Sequence, residues 1–274
     1  MNYYEILGVS RESSLQEIKR SFRRKAKKLH PDLNRLQPIR AADDMRLLIK
    51  AYETLCSREA REEYDRSLGS RPVAVGFDYR MFLKSQRNNM VSQSRLIFYD
   101  LLRDRQDEAA ELFEALSKRN GFNLADNLPR EDYLDCLFLL AETYEIKNDL
   151  RKSFNLYKTI YQMELEIPYF RHFIEEIIDR IRNLVCFKMI LAYGKEEALA
   201  FLLQTVELDI SRKDNAFFFK KMAEIHADAG SWEEARSCLE QGLVLDAKLP
   251  GIKKLKDRIR ASVHPRHIGR RCPP

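Results

Sequence analysis

Glycine and proline are scarce: the 274-residue chain has nine of each, about 7% together against the usual ~12%. A turn-rich all-β chain and a long Gly-rich spacer are thereby excluded. Long apolar runs are missing too. Stretches such as Leu137 to Ala141 and Met189 to Ala192 are short and flanked by charge, far below the roughly 18 residues a bilayer crossing needs, so no membrane insertion is expected. The start, Met-Asn-Tyr-Tyr-Glu, has no basic stretch followed by an apolar one, which reads as a cytoplasmic protein without a secretion signal. The five cysteines (Cys56, Cys136, Cys186, Cys238, Cys272) form no Cys-x-x-Cys pair, so neither a zinc ribbon nor a disulfide framework fits. No cofactor is expected.

With 33% charged and 45% apolar residues, the composition is that of a globular chain, long enough for one large or two ordinary domains. The charge is unevenly spread. Residues 1–69 carry net +4, residues 252–274 net +7, and the stretch between them net −5, which suggests zones with different partners.

Near the start, Leu15, Ile18, Phe22, Ala26 and Leu29 recur at spacings of three and four, the apolar stripe of one helix face. Ser13 or Ser14 is placed to cap that helix, and Pro31 stops it. A second stripe runs through Leu47, Leu48, Ala51, Tyr52 and Leu55. Two such helices can pair antiparallel, with Tyr3 to Leu7 and about Arg58 to Leu68 closing the ends. On the first helix, Lys19, Arg20, Arg23, Arg24, Lys27 and Lys28 lie off the apolar stripe and form a cationic face that attracts an acidic partner and speeds encounter. His30-Pro31-Asp32 follows at once, and Pro31 stiffens a turn that presents the Asp32 carboxylate at little ordering cost.

The order and spacing of Tyr3-Tyr4-Glu5-Ile6-Leu7-Gly8-Val9, the basic helix from Ile18 to Leu29, His30-Pro31-Asp32, Ala51-Tyr52-Glu53-Thr54-Leu55 and Arg61-Glu62-Glu63-Tyr64-Asp65 resemble the J domain of the DnaJ family of co-chaperones over residues 1 to about 69. The resemblance implies that Lys19, Phe22, Arg23 and Arg24, with His30, Pro31, Asp32 and Asn34, engage the ATPase of a DnaK-type heat-shock chaperone. In that family the Asp pairs with an Arg of the partner, ATP hydrolysis quickens and the client is trapped, the chemistry being the partner's, so the chain itself is not expected to be an enzyme. Met45 departs from a common Phe, and Ala60 from the usual Lys beside Arg61. By spacing, Phe22 fits either a core role or an exposed contact. Without Cys-x-x-Cys repeats or a Gly/Phe-rich segment, the chain is similar to the third, heterogeneous class of the family.

Residues 70–95 lose the helical period and hold Pro72 and Gly76, reading as a linker or docking segment. From 96 to 262 successive helices are expected. Leu140, Ala141, Tyr144, Asn148, Ser153 and Tyr157 match Met222, Ala223, His226, Gly230, Ala235 and Leu239 position for position. Degenerate units lie at Arg182 to Val206, where the Gly194 to Ala198 spacing is one residue shorter, and at Leu96 to Leu116. Helix pairs that must stack to bury their faces make a solenoid, and these spacings resemble the tetratricopeptide repeat; the alternative is an irregular helical bundle. In some members of that family a Lys/Asn clamp holds an acidic chaperone tail. Glu142 and Glu224 stand at the corresponding Asn positions and would repel such a tail, so an unidentified protein client is the expected partner.

The fold class expected is therefore all-α, with a basic tail at 263–274. A rival function is nucleic-acid binding by Lys253, Lys254, Lys256, Arg258, Arg260, Arg266, Arg270 and Arg271; against it, the tail lacks interleaved aromatics. His172 with Glu175 and Glu176 lacks the second His of a zinc protease, His226 and Cys238 read as packing residues, and His264, His267 and Cys272 lack a fourth metal ligand.

Overall fold

The structure, a computed structural model, describes residues 2–29, 38–68, 78–168 and 171–263. The described residues are all-α, without a strand, and fall into two compact units, residues 1–175 and 176–274.

In the first unit, α1 (Tyr3–Leu7), α2 (Leu15–Leu29), α3 (Pro38–Cys56) and α4 (Arg58–Leu68) come first. Reciprocal Asn2 and Glu5 bonds cap α1, and Gly8 ends it in the left-handed region at φ 68°. That backbone favours glycine; a β-carbon there would also press the Lys25 ammonium at 3.0 Å, a contact to which the flexible side chain can yield. Ser14 caps α2: its Oγ accepts from the Glu17 amide at 3.2 Å, while Glu17 accepts from the Ser14 amide at 2.8 Å. Ile18 and Ala26 of α2 join Leu48, Ala51 and Leu55 of α3 and Tyr4, Ile6 and Leu7 of α1 in one buried cluster. The two long helices run antiparallel. Phe22 stacks on Tyr52 with centroids 4.1 Å apart.

The same unit continues with α5 (Tyr79–Ser85), α6 (Met90–Leu102), α7 (Gln106–Ser117), α8 (Leu124–Asn127), α9 (Arg130–Ile146) and α10 (Leu150–Glu166). Within the stretch expected to link, α5 is fastened to α6 by a bidentate Arg80–Asp100 pair at 2.6 and 2.9 Å. The hairpin of α9 and α10 turns at Asn148, φ 59°. Fully buried Ala141 and Ser153 bring its helices together, and Tyr144 and Tyr157 fill the space beside them.

The division between the units falls within α11 (Arg171–Asn183). The second unit holds a π-helical turn at Leu184–Lys188, then α12 (Met189–Tyr193), α13 (Lys195–Val206), α14 (Arg212–Ala229), α15 (Trp232–Leu245) and α16 (Lys253–Val263). The α14–α15 hairpin turns at Gly230, φ 81°, with Ala223 and Ala235 fully buried. Gly194 explains the contracted spacing: it ends α12 and also starts α13, so the turn has one residue where Gly230-Ser231 has two and Lys147-Asn148-Asp149 has three. Among the described residues no helix is long and apolar enough to cross a membrane, and no cluster could hold a metal ion.

Candidate functional site

The cationic face of α2 is the feature on which the sequence reading converged. Its helix is anchored to α1 by polar bonds as well as by its apolar stripe. Ser21 Oγ donates to the carbonyl of Leu7, and Lys25 Nζ to that of Ile6, each at 2.5 Å. At the far side α4 is latched onto α1. Arg61 donates to the Tyr4 hydroxyl at 3.1 Å and to the carbonyls of Arg11 and Ser13 at 2.9 and 2.7 Å. Its guanidinium also lies 5.6 Å from the Tyr4 ring centre. The Tyr4 hydroxyl in turn donates to Asp65 at 2.6 Å, and Tyr3 stacks on Tyr64. Burial, with the Asp65 carboxylate beside it, raises the Tyr4 phenol above its ordinary value. Arg61 and Asp65, which enter the sequence only as part of a motif, are thus structural latch residues. Met45 packs against the buried cluster.

Of the expected partner-binding residues, Lys19, Phe22, Arg23 and Arg24 share α2. Phe22 lies at the edge of the core, stacked on Tyr52; Lys19 is half-buried and Arg24 exposed. His30, Pro31, Asp32 and Asn34 lie outside the described residues, as do the side chains of Lys27 and Lys28.

Arg23 does not face solvent. Its side chain is only 11% exposed, and it pairs with Asp135 of α9 at 2.7 Å, lying 5.6 and 5.7 Å from the rings of Phe138 and Phe173. Arg20 pairs with Asp132 and, at 3.4 Å, with Asp135, and its guanidinium sits 4.7 Å from the Phe98 ring centre. At the helix start Glu17 meets Arg103 at 3.2 Å, Arg103 donates to the carbonyl of Glu12, and Ser14 Oγ donates to the carbonyl of Leu102. Burial pushes the Asp135 carboxyl above its ordinary value, while Arg23 and Arg20 pull it back down. The cationic face is therefore divided, one part engaged by the helices that follow and one part outward.

Asp132 and Asp135 escaped the sequence reading. Their signal is two carboxylates three residues apart, and hence neighbours, opening a helix that is otherwise buried from Leu134 to Ala141.

The other candidates are placed as follows. Glu224 pairs with Lys221 at 2.9 Å, and Glu142 is half-buried on α9. Arg258 of α16 pairs with Asp228 at 2.8 Å and lies 6.0 Å from the Trp232 ring centre. His264, His267 and Cys272 lie outside the described residues, and so does the His172 side chain.

Comparison with known proteins bears on the first of these regions. Residues 2–65 match the DnaJ domain family. Over 65 residues the chain is 54% identical to the chaperone protein DnaJ of a Synechococcus species, covering 24% of this chain and 16% of that one. The chaperone protein DnaJ of Gloeothece citriformis is 49% identical over 75 residues, 27% of this chain and 19% of the relative. That of Rippkaea orientalis is 44% identical over 82 residues, 28% and 21%. The chain thus spans about a sixth to a fifth of the length of the curated relatives it matches. No solved structure matches. With its two antiparallel helices, its latch and these relatives, the segment from Asn2 to Asp65 is a J domain of the DnaJ type.

Proposed function

We propose that the chain is a co-chaperone whose J domain stimulates ATP hydrolysis by a DnaK-type heat-shock ATPase, and whose helical hairpins recognise a protein client. The observation that carries this reading is the family match over residues 2–65, on a segment whose α2 bears Lys19, Phe22, Arg23 and Arg24. The roles are divided. Lys19 and Arg24 attract an acidic surface of the ATPase, Arg23 joins them once it leaves Asp135, Phe22 adds apolar contact, and His30-Pro31-Asp32, with Asn34 beside it, supplies the short-range carboxylate contact. No bond is made or broken on this chain; hydrolysis belongs to the partner.

The hairpins α9–α10 and α14–α15 support a tetratricopeptide-like assignment through their matching left-handed turn residues, Asn148 and Gly230, and their paired buried small residues, Ala141 with Ser153 and Ala223 with Ala235. Stacked hairpins offer extended surfaces suited to a peptide or protein. The cytoplasm is the compartment in which such a pairing would operate.

The test is single-turnover ATP hydrolysis by a DnaK-type ATPase with the purified chain added. Stimulation is expected, and Asp32→Asn should remove it while leaving helical content and melting unchanged. A wild-type chain that gives no stimulation even at saturating concentration, or an Asp32→Asn chain that stimulates fully, would sink the assignment.

A further inference from the structure

We propose that the J domain is held in a self-restrained form, its cationic helix occupied by the chain's own α6–α9 surface, which an acidic partner must displace. This regulation rests on the co-chaperone reading above. Three observations carry it.

The first is competition for one group. Arg23 belongs to the set expected to meet the ATPase, yet its side chain is 11% exposed and its guanidinium already holds the Asp135 carboxylate at 2.7 Å. A guanidinium enclosed in this way cannot also form a close pair with another acidic surface. Its neighbour Arg20 is engaged likewise, by Asp132 and Asp135.

The second is that the receptor has the chemistry of an acidic partner. Two carboxylates on α9 face two arginines on α2, and Phe98, Phe138 and Phe173 supply ring faces to the same guanidinium groups. Planar, weakly hydrated guanidinium suits this combination of carboxylate and ring.

The third is that the contact can open without unfolding either side. The J domain keeps its own buried cluster of Tyr4, Ile6, Leu7, Ile18, Ala26, Leu48, Ala51 and Leu55 and its own Arg61 latch, neither of which uses α6 or α9. The bonds between the two parts are mainly ionic or polar: Arg20 and Arg23 to α9, Glu17 to Arg103, Ser14 to Leu102. Burying Asp135 costs desolvation that its attraction to the arginines must offset, so the net strength of these pairs is less than their number suggests and a partner with a better-placed acidic surface can compete for them. Lys19 and the exposed Arg24 remain as the encounter surface.

Charge reversal on the receptor side tests this without touching a J-domain residue. Asp132 and Arg103 are both part-exposed, at 28% and 35%, so Asp132→Arg with Arg103→Glu sets like charges against Arg20 and Glu17 at the rim. The full-length wild type and the double variant are compared at sub-saturating concentration for stimulation of a DnaK-type ATPase, with circular dichroism as the folding control. The variant should stimulate about fivefold more, the factor that corresponds to roughly 1 kcal/mol of lost docking, and its radius of gyration should be larger. Equal stimulation overturns the restraint and leaves the co-chaperone reading standing; stimulation by neither chain overturns that reading and the restraint with it. If the double variant fails to fold, Arg103→Gln alone, which deletes the Glu17 pair, must raise stimulation above wild type, and no rise overturns the proposal.

Discussion

Removing Arg61 should loosen the J domain at its end rather than at its core. Its guanidinium donates three bonds, to the Tyr4 hydroxyl and to the carbonyls of Arg11 and Ser13, at 3.1, 2.9 and 2.7 Å. Hydrogen bonds to charged groups contribute about 1.5–3 kcal/mol each, but these three are part-buried and share one side chain, so their sum is bounded by non-additivity. A total of about 3 kcal/mol is expected for Arg61→Ala, or roughly a hundredfold in the opening equilibrium of α4 from α1. Arg61→Lys keeps the charge but loses the planar fork, and should fall near half that value. Native-state hydrogen exchange of the amides in residues 3–7 and 58–68 reads the effect directly. Tyr4→Phe, which removes the hydroxyl donated to Asp65 at 2.6 Å, should couple to Arg61→Ala in a double-mutant cycle. An Arg61→Ala chain whose α1 and α4 protection changes by less than about 0.5 kcal/mol would refute the latch.

Three further outcomes follow from the described residues. At Gly242 a β-carbon would sit 3.1 Å from the Ala216 carbonyl oxygen and 3.3 Å from Leu249 Cδ2, so Gly242→Val should overpack the α14–α15 contact by about 1–3 kcal/mol; a urea midpoint at or above wild type contradicts this. Burial raises the thiols of Cys136 and Cys186, the latter to about 12, while Cys56 is only half-buried. A thiol reagent at pH 8 should therefore modify Cys56 well before Cys136 or Cys186, with peptide mapping to check the order. The Asp135 carboxyl, facing Arg23, Arg20 and Asp132, is raised by burial. Its contribution to stability is thus complete below the ordinary carboxylate value and is lost as pH rises through the raised one. Denaturation across pH should show the stability of Asp135→Asn improving relative to wild type as pH increases; movement in the opposite direction refutes the assignment.

The J-domain hairpin was legible in the sequence because its signals are local. The 3.6-residue recurrence from Leu15 to Leu29 and the cap at Ser13 or Ser14, which the structure gives to Ser14, each act within a turn or two of chain, where spacing fixes which groups meet. The same holds for Asn148, Gly194 and Gly230, whose positive φ marks the hairpin turns. The division of the cationic face could not be read that way. A run of Arg and Lys on a helix reads as solvated, since one Glu17 nearby cannot neutralise so many cations. The carboxylates that take Arg20 and Arg23 lie 112 residues away, and Arg61 reaches Ser13 across 48. Sequence by itself determined which helices form and which of their faces are apolar, through backbone propensity and burial. Only the tertiary structure decided which charges meet, because an ion pair depends on where two distant segments arrive in space, and no periodicity in either segment records that.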